Sequence, residues 1–189
     1  MKSLFRMLLF FTALVVLAFP VYAQESHVEG IDVVRIAGHN IAATRVDIHA
    51  TKQIESWGNT SEVHLVANFG GDPLWKVRYA VDTIFTVPLD PDFLEVSGDL
   101  GWGGLDVDTT VPVEVTTCED IVGGNCTTSS SKIPVSIHIS GLADQSVTQT
   151  NGLYQRRAVF TGTVTIGSRS FDYNLWGYNF ADQFSEDGE

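Results

Sequence analysis

Two stretches of the chain alternate strictly between apolar and polar side chains. From Leu105 to Val115 the odd positions carry Leu, Val or Thr, and the even positions carry Asp, Thr, Pro or Glu. From Ile133 to Ile139 the odd positions carry Ile or Val, with Pro, Ser and His between them. A period of two is typical of a strand with one buried and one solvent-facing side. Both stretches are therefore predicted to be strands whose odd-numbered residues face the core.

Similar runs, rich in β-branched and aromatic residues and bounded by turn residues, recur along the chain. They predict strands at Ile31–Ala37, Ile41–Thr51, Glu62–Phe69, Leu74–Val87, Phe93–Ser97, Leu105–Thr117, Ile133–Ser140, Ser146–Thr150, Tyr154–Ile166 and Ser170–Tyr178. No convincing amphipathic helix interrupts them. The pattern predicts an all-β protein, an antiparallel two-sheet β-sandwich of about ten strands, with a flattened β-barrel as the second choice.

The only two cysteines, Cys118 and Cys126, lie between the two strictly alternating stretches. A lone pair at the tip of a hairpin favours a disulfide and an oxidising compartment over two free thiols. The bond would close the short loop from Glu119 to Asn125. The polar run from Thr127 to Ser131 extends the predicted loop, which is long for a hairpin, and we interpret the segment as a protrusion that the disulfide holds closed.

Placing the two cysteines opposite each other fixes a register for the two strands. Leu105 then lies opposite Ile139, so that residues of the buried side meet each other. On the solvent side the same register predicts that Asp106 and His138 are neighbours. A surface ion pair explains this neighbour pair as well as a functional pair does.

The N-terminus has the features of a signal peptide. Lys2 and Arg6 precede an apolar run from Met7 to Phe19, and Val-Tyr-Ala before Gln24 offers a cleavage site. The run is shorter than the roughly 20 residues of a membrane span, which disfavours an uncleaved anchor. The predicted organisation is a signal peptide (1–23), an N-terminal tail (24–30), a single β-domain (31–181) and an acidic C-terminal tail (182–189). The predicted location is secreted or periplasmic.

The formal net charge of −12 limits the classes of partner. Nucleic acids and anionic membrane surfaces are recognised by clustered Lys and Arg, which this acidic chain lacks. No segment after the predicted cleavage point is apolar enough to cross a membrane. Protein and glycan partners remain open, and simple solubility also accounts for the charge.

Acidic side chains flank a glycine-rich stretch and are candidates for a cation site. Asp99, Asp106 and Asp108 could supply carboxylate oxygens to calcium, the one cofactor considered, although their spacing is not that of an EF-hand. Solvated turn acids that keep sheet edges from pairing are the alternative. Three histidines on the polar sides of strands, which could bind zinc if they converged, are interpreted as exposed.

Three tryptophans are candidates for ligand binding. Trp102 lies among glycines, Trp57 precedes a glycine in a loop, and Trp176 has the parity opposite to its apolar neighbours. Exposed indoles suit stacking against the apolar face of a sugar ring. The alternative is that these aromatic rings cover the core near the strand ends. Trp75 has buried parity and is predicted to lie in the core itself.

Catalytic signatures are absent from the sequence: it has no nucleophile elbow, zinc-protease motif or phosphate-binding loop. The sequence therefore favours a secreted, non-catalytic β-protein with a structural, surface or interaction role. A carbohydrate-binding module, with or without calcium, is the alternative, and a hydrolase that uses scattered carboxylates is the second alternative. Asn59 and Asn125 begin glycosylation triplets, which matter only in a glycosylating host.

Overall fold

The computed structural model describes residues 27–37 (backbone only for 34–37), 44–55, 58–71, 74, 76–86, 93–119 and 125–185. The predicted signal peptide, Trp57 and Trp75 lie outside the described residues. Within these ranges there is no helix with the length and apolar character of a membrane span.

Each of the ten predicted strands corresponds to one strand of the structure. They are β1 (His27–Ala37), β2 (Thr44–Ile54), β3 (Thr60–Gly70), β4 (Val77–Thr86), β5 (Leu94–Val96), β6 (Trp102–Cys118), β7 (Cys126–Ala143), β8 (Thr148–Thr150), β9 (Leu153–Ile166) and β10 (Arg169–Ala181). All the pairings between them are antiparallel, which confirms the predicted fold class.

The strands form one hydrogen-bonded sheet, and a further pairing joins one end of its strand order to the strand next to the other end. Its order is β10-β1-β2-β3-β4-β6-β7-β9-β8, with β5 paired to β6, and β10 also pairs with β9. Two junctions are short: Val77–Ala80 of β4 with Glu114–Thr117 of β6, and Glu29–Val33 of β1 with Gly177–Ala181 of β10. Between these junctions lie two broader halves, so both the sandwich and the flattened barrel describe the arrangement.

The core lies between the two halves and is built from the side of each strand that alternation predicts. Its largest fully buried side chains include Phe160, Ile48, Leu65 and Ile137. Burial of an aliphatic or aromatic side chain of this kind contributes about 1.5–3 kcal/mol. Trp176 has the opposite parity, and 66% of its surface is exposed, as predicted.

The predicted register of the hairpin is confirmed. Cys118 lies opposite Cys126 with the two sulfurs at disulfide distance, and Leu105 lies opposite Ile139. The predicted length of the connecting loop was wrong, because β7 begins at Cys126 rather than Ile133. The run from Thr127 to Ser131 is exposed at every position, so it pairs with β6 without the apolar alternation that would have indicated a strand.

The first strand also begins earlier than its apolar pattern indicates. β1 includes His27–Gly30, upstream of the predicted start at Ile31. The carboxylate of Asp182 accepts a hydrogen bond from the backbone N–H of Val28 and contacts Nδ1 of His27. These long-range contacts tie the beginning of β1 to the chain that follows β10, and local sequence carries no sign of them.

Candidate functional site

The register of the strands arranges the outward-facing residues of one half in rows that run across the strands. One row, which we call the polar row, contains Glu95, Gly104, Ser140, Thr161 and Asn174. The next row, the apolar row, contains Trp102, Leu142, Val159 and Trp176. An apolar row beside a polar one gives this outer surface an amphipathic character.

A concave site with a volume of about 530 Å³, which we call the groove, lies where these rows cross β5, β6, β7 and β9. Its lining includes the aromatic side chains Phe93 and Trp102, the glycines Gly104 and Gly162, and the polar side chains Glu95, Asp106, His138, Ser140 and Thr161. Aromatic side chains beside a few polar groups are typical of small-molecule sites.

The indole of Trp102 is half-buried because it lies against a glycine two residues further along β6. A Cβ added to Gly104 would lie 2.8 Å from two carbon atoms of this ring. Any side chain at position 104 would therefore displace the indole. The glycine lets the ring lie close to the sheet at the edge of the groove.

The turn that precedes Trp102 holds its backbone through Ser97 and Asp99. The hydroxyl of Ser97 accepts a hydrogen bond from the N–H of Trp102 at 2.8 Å and donates one to Asp99 at 2.7 Å. The carboxylate of Asp99 also accepts the N–H of Gly101 at 2.8 Å and faces Nη1 of Arg156 at 3.3 Å. The hydrogen bond from Ser97, followed by that from Gly101, lowers the pKa of Asp99 below its ordinary value.

Gly162 forms another part of the groove, where β9 passes very close to β7. Its φ is +135°, and an added Cβ would lie 2.1 Å from the backbone oxygen of His138. Only glycine fits this conformation and this approach.

His138 is engaged by two carboxylates on the neighbouring strand. Its Nδ1 lies 2.8 Å from Asp106, which confirms the predicted neighbour pair, and its Nε2 lies 3.7 Å from Asp108. Asp108 also accepts a hydrogen bond from Ser136. The close contact at Nδ1 is therefore an exposed hydrogen bond between two side chains on neighbouring strands.

A buried carboxyl group, that of Glu29, lies near the start of β1. Burial raises the pKa of Glu29 above its ordinary value, while the charges of Lys52 and His27 act in the opposite direction. The charge of Glu95, which lines the groove, also raises the pKa of Glu29.

Trp176 lies at the far end of the apolar row and is held in place by a charged pair. The guanidinium carbon of Arg157 lies 4.6 Å from the centre of its ring. Asp144 accepts two hydrogen bonds from Arg157, at 3.0 and 2.6 Å, and the bonded guanidinium lowers the pKa of this carboxyl group. The indole is therefore exposed but oriented.

The three acidic candidates for a cation site do not share a set of partners in the structure. Asp99 is bound within its turn and to Arg156, whereas Asp106 and Asp108 flank His138. In the part of the chain that the structure describes, no group of three or more His, Cys, Asp or Glu side chains could hold a metal ion.

The structure places two of the three candidate tryptophans, Trp102 and Trp176, in one row; the third, Trp57, is not described. Sequence reasoning missed Glu95, Ser140 and Thr161. The cysteine register already placed Ser140 opposite Gly104, but no pattern along the chain indicated which strand lies beyond β7.

Neither a protein-family model, nor a curated protein sequence, nor a solved structure matches this chain.

Proposed function

We propose that the protein binds neutral saccharides in the groove, with a sugar ring stacked on Trp102. The observation that carries the proposal is the half-buried indole held beside a row of polar side chains on a concave surface. The hydrogen-bonded turn and the glycine beneath the ring orient the indole of Trp102 at the edge of the groove before any ligand arrives.

The lining of the groove matches the two surfaces of a pyranose. The apolar C–H face of the sugar would lie on the indole, and its hydroxyl groups would meet Glu95, Asp106, Ser140 and Thr161. Carboxylates accept hydrogen bonds from hydroxyl groups but repel anions. Together with the net charge of −12, they favour neutral over acidic sugars.

The proposed setting is extracytoplasmic, after removal of residues 1–23. A cysteine pair at disulfide distance supports this setting, because such bonds persist in oxidising compartments.

A glycan array with neutral and acidic members, probed with and without a chelator, tests the proposal. We expect binding to at least one neutral class and a loss of about tenfold or more in affinity for Trp102→Ala, since an aromatic stacking contact contributes about 0.5–1.5 kcal/mol beyond the area it buries. Ile84→Ala is the matched control, because it removes an apolar side chain of β4 that is 63% exposed and does not line the groove. The affinity of this variant for the glycan should equal that of the wild type. No binding anywhere on the array, or unchanged affinity in Trp102→Ala, would refute the proposal.

A hydrolase is the second candidate, because two carboxylates, Glu95 and Asp106, line the same groove. Release of new reducing ends from the bound glycan by the wild type, and not by Glu95→Gln, would favour catalysis over binding alone. We expect no release from either.

A further inference from the structure

The apolar row continues from the groove across the outer surface of four adjacent strands. Trp102 lies opposite Leu142, Leu142 opposite Val159, and Val159 opposite Trp176. Three steps between strands of about 4.8 Å each give a row about 14 Å long. It is longer than one sugar ring and begins at the indole that lines the groove.

Two members of the apolar row are exposed, and the other two, Trp102 and Val159, are partly buried. Leu142 and Trp176 are 67% and 66% exposed, the highest values among the large apolar side chains of the described residues. Contiguous exposed apolar surface of this kind marks a binding surface in soluble proteins. The contact of Arg157 with Trp176, backed by two hydrogen bonds to Asp144, limits the motion of the indole before any ligand arrives.

The polar row runs parallel to the apolar row on the same surface. The hydroxyl groups of Ser140 and Thr161, which line the groove, and the amide of Asn174 beyond it lie one row away from Leu142, Val159 and Trp176. A saccharide chain presents ring faces to an apolar surface and hydroxyl groups at its edges. The two parallel rows therefore fit a chain that crosses the strands.

We infer that the protein binds an extended neutral polysaccharide along the apolar row, from Trp102 across β6, β7, β9 and β10 to Trp176. The inference rests on the proposed saccharide binding and adds the length and direction of the ligand. Charge favours a neutral chain here too, since the neighbouring acidic groups Asp106 and Glu95 repel a polyanion.

The test uses short and long chains of β-linked glucose (cellobiose and cellohexaose) and of N-acetylglucosamine (chitobiose and chitohexaose) in calorimetric titrations. For at least one of the two sugars, we expect Trp176→Ala to weaken hexasaccharide binding about tenfold and to leave disaccharide binding unchanged. Trp102→Ala should weaken both. Trp176→Phe should recover most of the lost affinity because it retains an aromatic ring, and Ile84→Ala should match the wild type.

The possible failures are distinguishable. Unchanged hexasaccharide affinity in Trp176→Ala, with disaccharide binding lost in Trp102→Ala, overturns the extended site and leaves the proposed function standing. Unchanged affinity in Trp102→Ala overturns both, and a wild type that binds neither hexasaccharide overturns the extended site. A wild-type dimer that Trp176→Ala converts to a monomer, measured by sedimentation, would instead make the row an interface between copies of the chain.

Discussion

Asp99 connects the turn before Trp102 to β9 through a single carboxylate. It accepts hydrogen bonds from Ser97 and Gly101 and faces Arg156 of β9. Because Ser97 also holds the backbone of Trp102, the ionised carboxylate supports the indole as well as the turn. Hydrogen bonding to the charged form explains why its pKa is lowered.

Replacing Asp99 with Asn should lower the melting temperature at neutral pH by about 1–3 °C, equivalent to about 0.5–1 kcal/mol for a partly exposed group. Because the folded-state pKa lies below the ordinary value of 3.8, the contribution is complete above pH 3.8 and disappears as the pH falls through the folded-state pKa. The melting temperatures of the two proteins should therefore converge in acid. Thermal melts across pH, with Glu114→Gln as a control for the loss of one exposed charge, measure this; parallel curves would contradict it.

Gly162 illustrates what a single sequence hides at the residue scale. A glycine inside a strand pattern suggests a bulge or a close approach but does not identify the neighbour. The approach comes from the backbone oxygen of His138, which belongs to another strand. At Trp102 the glycine neighbours identified a candidate residue, but they did not show that Gly104 lies beneath the ring and half-buries it.

At the scale of elements, the hairpin of β6 and β7 was the most predictable part of the fold. Parity identified both buried sides, and the cysteines identified the register. The polar run from Thr127 to Ser131 was not predicted to be part of a strand. Alternation indicates one buried side, and this part of β7 is exposed on both sides. The hydroxyl groups of Thr116 and Thr128 lie 2.9 Å apart across the hairpin, a stabilising contact that apolar patterns do not show.

Replacing both Cys118 and Cys126 with Ser should lower the free energy of unfolding by about 2.5 kcal/mol, because the closed loop spans a sequence separation of 8. The fold should persist, since the pairing of β6 with β7 runs as far as Trp102 and Leu142. Urea denaturation followed by circular dichroism measures the loss. Reductant should bring the wild type to the stability of the variant and leave the variant unchanged; equal stability of the wild type with and without reductant would contradict the bond's contribution.

At the scale of the whole molecule, the order of the strands exceeded what the sequence could predict. The pairing of β7 with β9 and of β10 with β1 brings together strands that do not follow each other in the chain, whereas β9 and β10 form a local hairpin. Parity states which residues face outward but not which outward residues become neighbours. The apolar row depends on three registers at once, and the sequence identified only that of β6 with β7. The tryptophans were therefore identifiable individually, and their alignment was not.

The charge of the whole molecule sets the salt dependence of the proposed binding. A net charge of −12 attracts or repels charged ligands over a distance set by the ionic strength, which is about 30 Å at about 0.01 M salt and about 3 Å at about 1 M. A neutral saccharide has no charge to screen, so its Kd should change less than about twofold across this range. An acidic ligand would bind more tightly as salt screens the repulsion, and a basic one more weakly. Titrations of the binding hexasaccharide at both salt concentrations measure the effect, and a tenfold change in either direction would show that ionic contacts, rather than stacking and hydrogen bonds, hold the ligand.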